Sequence, residues 1–263
     1  MLTIYRHELK LNIKSLLVWT VCVGGMGVVC IWLFSGMQES MQGMAENFAS
    51  MGAFADAFGM SRLSIATLEG YYAAEVGTIH ALGGAMFAAV ISTVMLSKEE
   101  DGHTGEFLFS LPIGREKAAG AKWMAVLTYI LLFNLLCAGL YLVGIAAVEG
   151  GLPQEKFLLY HVMQFFMQAE IAAVCFAVSA CMRKNRLGTG LGIVLFLYVC
   201  DMIGRVVPRL DKIKALSPFS YANAADIFAG GRTDVLAVAI GAVILAAGAG
   251  TACIVYARRD LAA

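Results

Sequence analysis

At 263 residues, 60% hydrophobic and 14% charged, with a mean hydropathy of +0.76, the chain has too little polar material to cover a water-soluble domain. Lys and Arg total 19 and so do Asp and Glu, so no overall field steers nucleic acid or an anionic substrate to it. Most of the chain therefore belongs in lipid.

The opening MLTIYRHELKLNIK sets Leu2, Tyr5, Leu9 and Ile13, then Leu16, at steps of three and four, with Arg6, Lys10 and Lys14 on another face. This spacing predicts an amphipathic helix over 1–14 lying on the inner membrane surface, and no secretory cleavage site follows it. The apolar run at 16–34 suffices for one helix to cross roughly 30 Å of hydrocarbon. Its Gly24, Gly25 and Gly27 permit close helix contact. From Ser35 to Glu69 the chain is too polar to span, yet Met37, Met41, Met44, Phe48, Met51, Phe54 and Phe58 share one helical face. The expectation is a helix that continues outside the membrane or lies along its outer surface. Its Met-rich face would pack on its own domain, a second copy or an apolar ligand.

The second run, 71–96, repeats Gly77, Ala81, Ala85 and Ala89 every fourth residue, a small-residue stripe for helix packing, with His80 inside it. A polar island at 97–123 precedes the third run, 124–148, in which Asn134 is the strongly polar member. Gly150, Gly151 and Pro153 make the next connection a short turn, so the third run and the fourth, 157–182, are expected to be antiparallel neighbours. Glu170 interrupts the fourth. The basic residues Arg183, Lys184 and Arg186 lead into the fifth run, 187–207. No strand precedes its Gly188, Gly190 and Gly192, which argues for helix packing through Gly188 and Gly192 rather than a dinucleotide fingerprint. Asp201 and Arg205, acid before base and one turn apart, form an expected structural ion pair. Residues 208–234, broken by Pro208 and Pro218, are expected to make short or re-entrant helices at the outer surface. The sixth run, 235–256, again places small residues four apart at Ala242, Ala246 and Gly250.

These runs describe an all-α polytopic membrane protein, one domain over 1–263 with six transmembrane helices and both termini on one side. Arg6, Lys10 and Lys14, the island's Lys98, Arg115, Lys117 and Lys122, the 183–186 turn, and Arg258 with Arg259 all fall on that side. The positive-inside rule thus assigns the termini and the island to the cytoplasm. Arg205, Arg209, Lys212, Lys214 and Arg232 cluster on the other side, and an inward location for them would require an odd span count.

Much chemistry is missing. The chain has no Gly-Lys dipeptide and hence no P-loop, and its seven Cys and four His are scattered without ligand spacing. No catalytic residue, metal or cofactor is expected in this chain. Glu99-Glu100 is similar to the paired glutamates of intramembrane CAAX-type proteases, but the pair sits at a water-exposed end, and Thr104 stands where that pattern needs a basic residue.

The island itself is patterned: Glu99 and Glu100; Thr104, Glu106, Phe107 and Leu108; Leu111, Pro112, Ile113 and Arg115; then Lys122 before the third run. This resembles the cytoplasmic loop of type-2 ABC exporter permeases, where acidic residues are followed by Thr-x-Glu-Phe-Leu-Leu, x-x-Pro-Ile-x-Arg and a Lys heading the third span. The likeness extends to the amphipathic first helix, six spans and Ser-Pro-Phe-Ser-Tyr at 217–221, with Gly114 where the family often has Ser. Physically, a short helix from about Glu100 to Ser110, ended by Pro112, would offer Phe107, Leu108 and Leu111 to a cleft, with charges fixing register.

The resemblance implies a bacterial cytoplasmic-membrane exporter in which two copies of the permease enclose a path. It implies that Glu100, Thr104, Glu106, Phe107, Leu108, Leu111, Pro112 and Arg115 couple to two ATP-binding subunits, which hold the ATP and Mg. Glu170, His80 and Asn134 are the candidates for the path, and a drug, antimicrobial peptide or lipid is the expected cargo. The rival is a membrane sensor or self-immunity protein that binds a peptide or lipid without moving it. A polytopic enzyme would need a nucleophile with a base, and none is visible.

Overall fold

The structure, a computed structural model, describes residues 1–52, 55, 62–104, 114–148, 150–207, 214, 217–230 and 233–258. Six helices are long and apolar enough to cross a membrane: Leu2–Gln38, Leu68–Met95, Arg115–Ala146, Gln154–Cys181, Leu187–Val206 and Val235–Arg258. Even the shortest, at 20 residues, reaches about 30 Å at 1.5 Å per residue. No strand occurs among the described residues. Alternating direction gathers Met1, residues 97–104, Gly114, residues 182–186 and Arg258 at one end of the bundle, here the termini end.

The first two expected elements are one. Helix α1 (Leu2–Trp19) passes through a π-helical turn (Thr20–Gly24) directly into α2 (Gly25–Ala49). No separate interfacial helix over 1–14 is present, because nothing between Lys10 and Leu16 breaks a helix: the stretch has neither Gly nor Pro. Its inward face is also displaced from the expected one. Ile4, Glu8 and Leu16 are buried, whereas Leu2 and Ile13 stay exposed. The same helix carries Met37, Met41 and Met44 past the apolar run without a break. The side chain of Phe48, and Phe54 and Phe58 entirely, lie outside the described residues.

The second span joins α3 (Leu68–Tyr71), a π-helical turn (Tyr72–Val76) and α4 (Gly77–Met95), and a one-turn helix α5 (Lys98–Asp101) follows at the termini end. Helix α6 (Arg115–Ala146) starts nine residues before the expected third span, so 115–123, rich in Ala and Lys, belong to a helix rather than to a loop. Helices α7 (Gln154–Cys181), α8 (Leu187–Val206), the one-turn α9 (Ala224–Phe228) and α10 (Val235–Arg258) complete the chain.

Helix α7 is the hub, packing chiefly on α4 and α10 and also on α6, α8 and α9. The α4 stripe meets it: Ala85 and Ala89 are fully buried with Met167, Ile171 and Cys175. The glycine that brings α8 close is Gly190, where a Cβ would lie 2.2 Å from Thr93 Oγ1, and not Gly188 or Gly192, which face open space. On α10 the packed positions are Gly241 and Gly248, while Ala242, Ala246 and Gly250 are exposed. Small residues four apart mark a helix face, but here that face looks outward.

Candidate functional site

At the termini end, the segment leaving α4 is tied down twice. The Ser179 hydroxyl accepts from Leu96 N (3.0 Å) and Ser97 N (3.3 Å), and Ser97 Oγ donates to Asn185 Oδ1 (2.9 Å). Beyond it, four charges from three helices interlock. Lys122 of α6 donates to Glu99 of α5 and to Met95 O (2.8 Å) and lies 3.4 Å from Glu8 Oε1, while Lys98 donates to Glu8 Oε2. Lys122 is 1% exposed and Glu8 2%. Two carboxylates and two ammoniums leave no net charge, which is what makes burying Glu8, Glu99 and Lys122 beside the partly exposed Lys98 tolerable. Glu99 Oε2 has no partner among the described residues.

Of the residues expected to couple to a partner, Glu106, Phe107, Leu108, Leu111 and Pro112 lie outside the described residues. Glu100 belongs to α5, Thr104 is exposed and hydrogen-bonds back to Glu99 O, and Arg115 opens α6. Helix α5 ends at Asp101, and the chain turns at His103, whose φ is +52°. Of the short helix expected from about Glu100 to Ser110, residues 105–110 lie outside the described residues, and Glu100 and Asp101 belong to the one-turn α5.

His80, Asn134 and Glu170 do not form one site. His80 Nδ1 lies 3.2 Å from the Tyr141 hydroxyl and its Nε2 lies 3.1 Å from Asn134 Oδ1, while Asn134 Nδ2 donates to Gln168 Oε1 (2.7 Å) and Ile130 O (2.9 Å). Next to this seam stands His161, its ring 5.0 Å from that of His80 and its Nε2 3.4 Å from the Tyr72 hydroxyl. The seam is sealed: His80 is fully buried and Asn134 4% exposed. His161, Gln164 and Gln168 were not expected here, although steps of three and four on one apolar helix carry the signal.

Glu170 is two residues beyond Gln168, hence on another face of α7. It accepts from the Tyr221 hydroxyl (2.8 Å) and borders a groove of about 390 Å³ lined by Val174, Gly192, Phe196, Pro218 and Ile244. Gly241 of α10 closes against it: a Cβ there would lie 2.4 Å from Glu170 Oε2. Tyr221 reaches so deep because residues 217–222 fold as turns that bury Phe219 and Tyr221 between α7 and α8. Burial, with the Glu170 carboxylate beside it, holds the Tyr221 phenol above its ordinary value, so it keeps its proton and remains the donor.

At the opposite end Arg205 donates to both oxygens of Asp201 (2.7 and 3.3 Å) and to Asp226 Oδ2 (3.1 Å), and Arg62 pairs with Asp226 Oδ1. Asp201 and Arg205 thus pair within α8, and the Arg205–Asp226 bond pins α9 to it. No group of three or more His, Cys, Asp or Glu able to hold a metal occurs among the described residues.

A search of curated proteins finds no match. The family model described as ABC-2 family transporter protein matches residues 2–217.

Proposed function

The chain belongs to the ABC-2 family of transporter proteins, whose membrane permease subunits are not catalytic, and from that premise we propose that it is the permease of an ATP-driven exporter. Two copies enclose the path, and a separate ATP-binding subunit docks on each copy's 98–122 segment in the cytoplasm, where both termini also lie. The cargo is a hydrophobic or amphipathic molecule, a drug, antimicrobial peptide or lipid, and Glu170 borders its route.

The match over 2–217 carries the reading. Three further observations support it. The segment's root is fastened to α1, α6 and α7 through Glu8, Lys122 and Ser179, so a push on it is delivered to three spans at once. Glu170 is the acidic side chain beside an open groove at membrane depth. The groove's far walls, α8 and α10, are also the least enclosed spans, leaving faces for a second copy.

The test is reconstitution with the cognate ATP-binding subunit. The expected result is ATP hydrolysis by the assembled complex, and dissociation or uncoupling by Phe107→Ala with Leu111→Ala. Unchanged binding and hydrolysis in that double variant would remove the docking segment from the proposal. A complex that binds cargo but never moves it into vesicles would leave a sensor instead.

A further inference from the structure

Where α7 ends and α8 begins, at the termini end, a pocket of about 480 Å³ opens between the two helices. Arg183, Lys184 and Arg186 line it with Val178, Met182 and Thr189, and no acidic residue does among the described residues. All three basic side chains are exposed, and none of their charged groups makes an ion pair or hydrogen bond among the described residues. Lys98 and Lys122, at the same end, are by contrast both held by carboxylates. Arg186 is also the N-cap of α8 and gives it no side-chain cap, so the helix starts at this pocket with uncapped N–H groups. Their partial positive charge adds to that of the three cations.

The pocket continues into the bundle. Thr189 lines both it and the groove of about 390 Å³ beside Glu170, so the two are neighbouring parts of one cleft along α7 and α8. Counted from Leu187 at 1.5 Å per residue, Thr189 lies about 3 Å and Phe196 about 14 Å along α8. The cleft therefore crosses about half of roughly 30 Å of hydrocarbon, the depth of a single leaflet. Its walls there are apolar, with Val174 and Ile193 half-buried and Phe196 exposed. Gly192 leaves room between them, since a Cβ there would meet nothing within 4 Å. Glu170, held by the Tyr221 hydroxyl, closes the deep end. Cations at the mouth and an acid at the bottom orient an anionic amphiphile head outward.

We propose that this cleft binds an anionic glycerophospholipid of the surrounding leaflet, its phosphate against Arg183, Lys184, Arg186 and the start of α8, and one acyl chain along Val174, Gly192 and Phe196. Both helices are candidate membrane spans, so the lipid enters sideways. Three cations without a counter-charge among the described residues select a headgroup of net negative charge. A zwitterionic headgroup brings its own cation and loses most of that attraction. A soluble acidic partner would satisfy the charges but leave the apolar cleft below them empty. The inference shares its groove with the proposed cargo route but not its premise, for it needs a bilayer and no ATP-binding subunit.

Full-length protein in dodecyl maltoside micelles, with no ATP-binding subunit present, is titrated with phosphatidylglycerol or with phosphatidylcholine of the same acyl chains, and bound lipid is counted by native mass spectrometry. Each basic residue beside an anionic headgroup is worth about fivefold, so phosphatidylglycerol should bind at least about tenfold more tightly. Arg183→Gln with Arg186→Gln should remove most of that preference and leave phosphatidylcholine binding unchanged, whereas Arg183→Lys with Arg186→Lys should keep it. Gly192→Trp fills the cleft from a position where the added Cβ meets nothing. It should weaken both lipids roughly tenfold, the worth of about two buried methylenes. Equal affinity for the two lipids, or a preference that survives both Gln substitutions, would overturn the site. So would displacement by soluble glycerophosphoglycerol as effective as by the lipid, which would leave an anion-binding surface only. Gly192→Trp that splits a dimer without weakening lipid binding would give the cleft to a second copy instead.

Discussion

Lys122 and Asn134 stand twelve residues, about 18 Å, apart on α6, and each anchors a buried polar cluster, yet the two clusters are built differently. Around Lys122 every member is charged, and three separate helices contribute. Around Asn134 every partner is neutral and the amide is fully used, while Nε2 of Gln168 and Nδ1 of His161 are left over. The location explains the contrast. The charged cluster lies at the bundle's end, where its members can rehydrate if the helices part, so it suits a joint that transmits or releases. The neutral seam lies where water does not reach, and there ionised groups would cost too much.

The sharpest way to break this comparison is Lys122→Met. It leaves Glu99 buried with no cation and Glu8 with Lys98 alone, and removing one partner from a buried ion pair costs about 3–5 kcal/mol. A fall of that order in an SDS unfolding titration is expected, with part recovered by adding Glu99→Gln. A loss below about 1 kcal/mol would mean the cluster is already hydrated, because exposed pairs contribute no more than that.

Asn134→Leu should do less. Leu fills similar volume, and the change strands His80 Nε2 and Gln168 Oε1 at membrane depth, but both are neutral. About 1–2 kcal/mol in the same titration is expected, since hydrogen bonds between membrane helices are worth around 1 kcal/mol each. A loss equal to that of Lys122→Met would show that charge is not what separates the clusters.

The charge of Lys122 and the length of each apolar run were readable from the chain, because hydropathy over about 20 residues marks a span regardless of neighbours. Pairing was not. Glu8 meets residues 90 and more positions away, and nothing in MLTIYRHELKLNIK distinguishes it from a solvated acid among bases. Periodicity also misled where it reports a face but not its direction, as with Ala242, Ala246 and Gly250, which line up and look outward. The continuity of α1 with α2 escaped for a different reason: a change from amphipathic to apolar signals a change of solvent, not a break in the backbone. His161, Gln164 and Gln168 were legible as one face of α7 and went unread beside the more conspicuous Glu170.

His161→Phe should have the smallest effect of the three, and the reason is the seam's leftover atom. Nδ1 makes no hydrogen bond to lose, and Nε2 reaches the Tyr72 hydroxyl only at 3.4 Å, beyond the usual range for a strong bond. Phe is close in size, and the ring already packs against Phe157 at 4.5 Å and Tyr160 at 5.2 Å, contacts a phenyl keeps. What remains is a Tyr72 hydroxyl without its partner, so a loss of about 1 kcal/mol or less is expected in detergent. A larger loss would place His161 inside the seam's working network. A gain would say instead that the buried, unpartnered Nδ1 is a liability in the folded bundle.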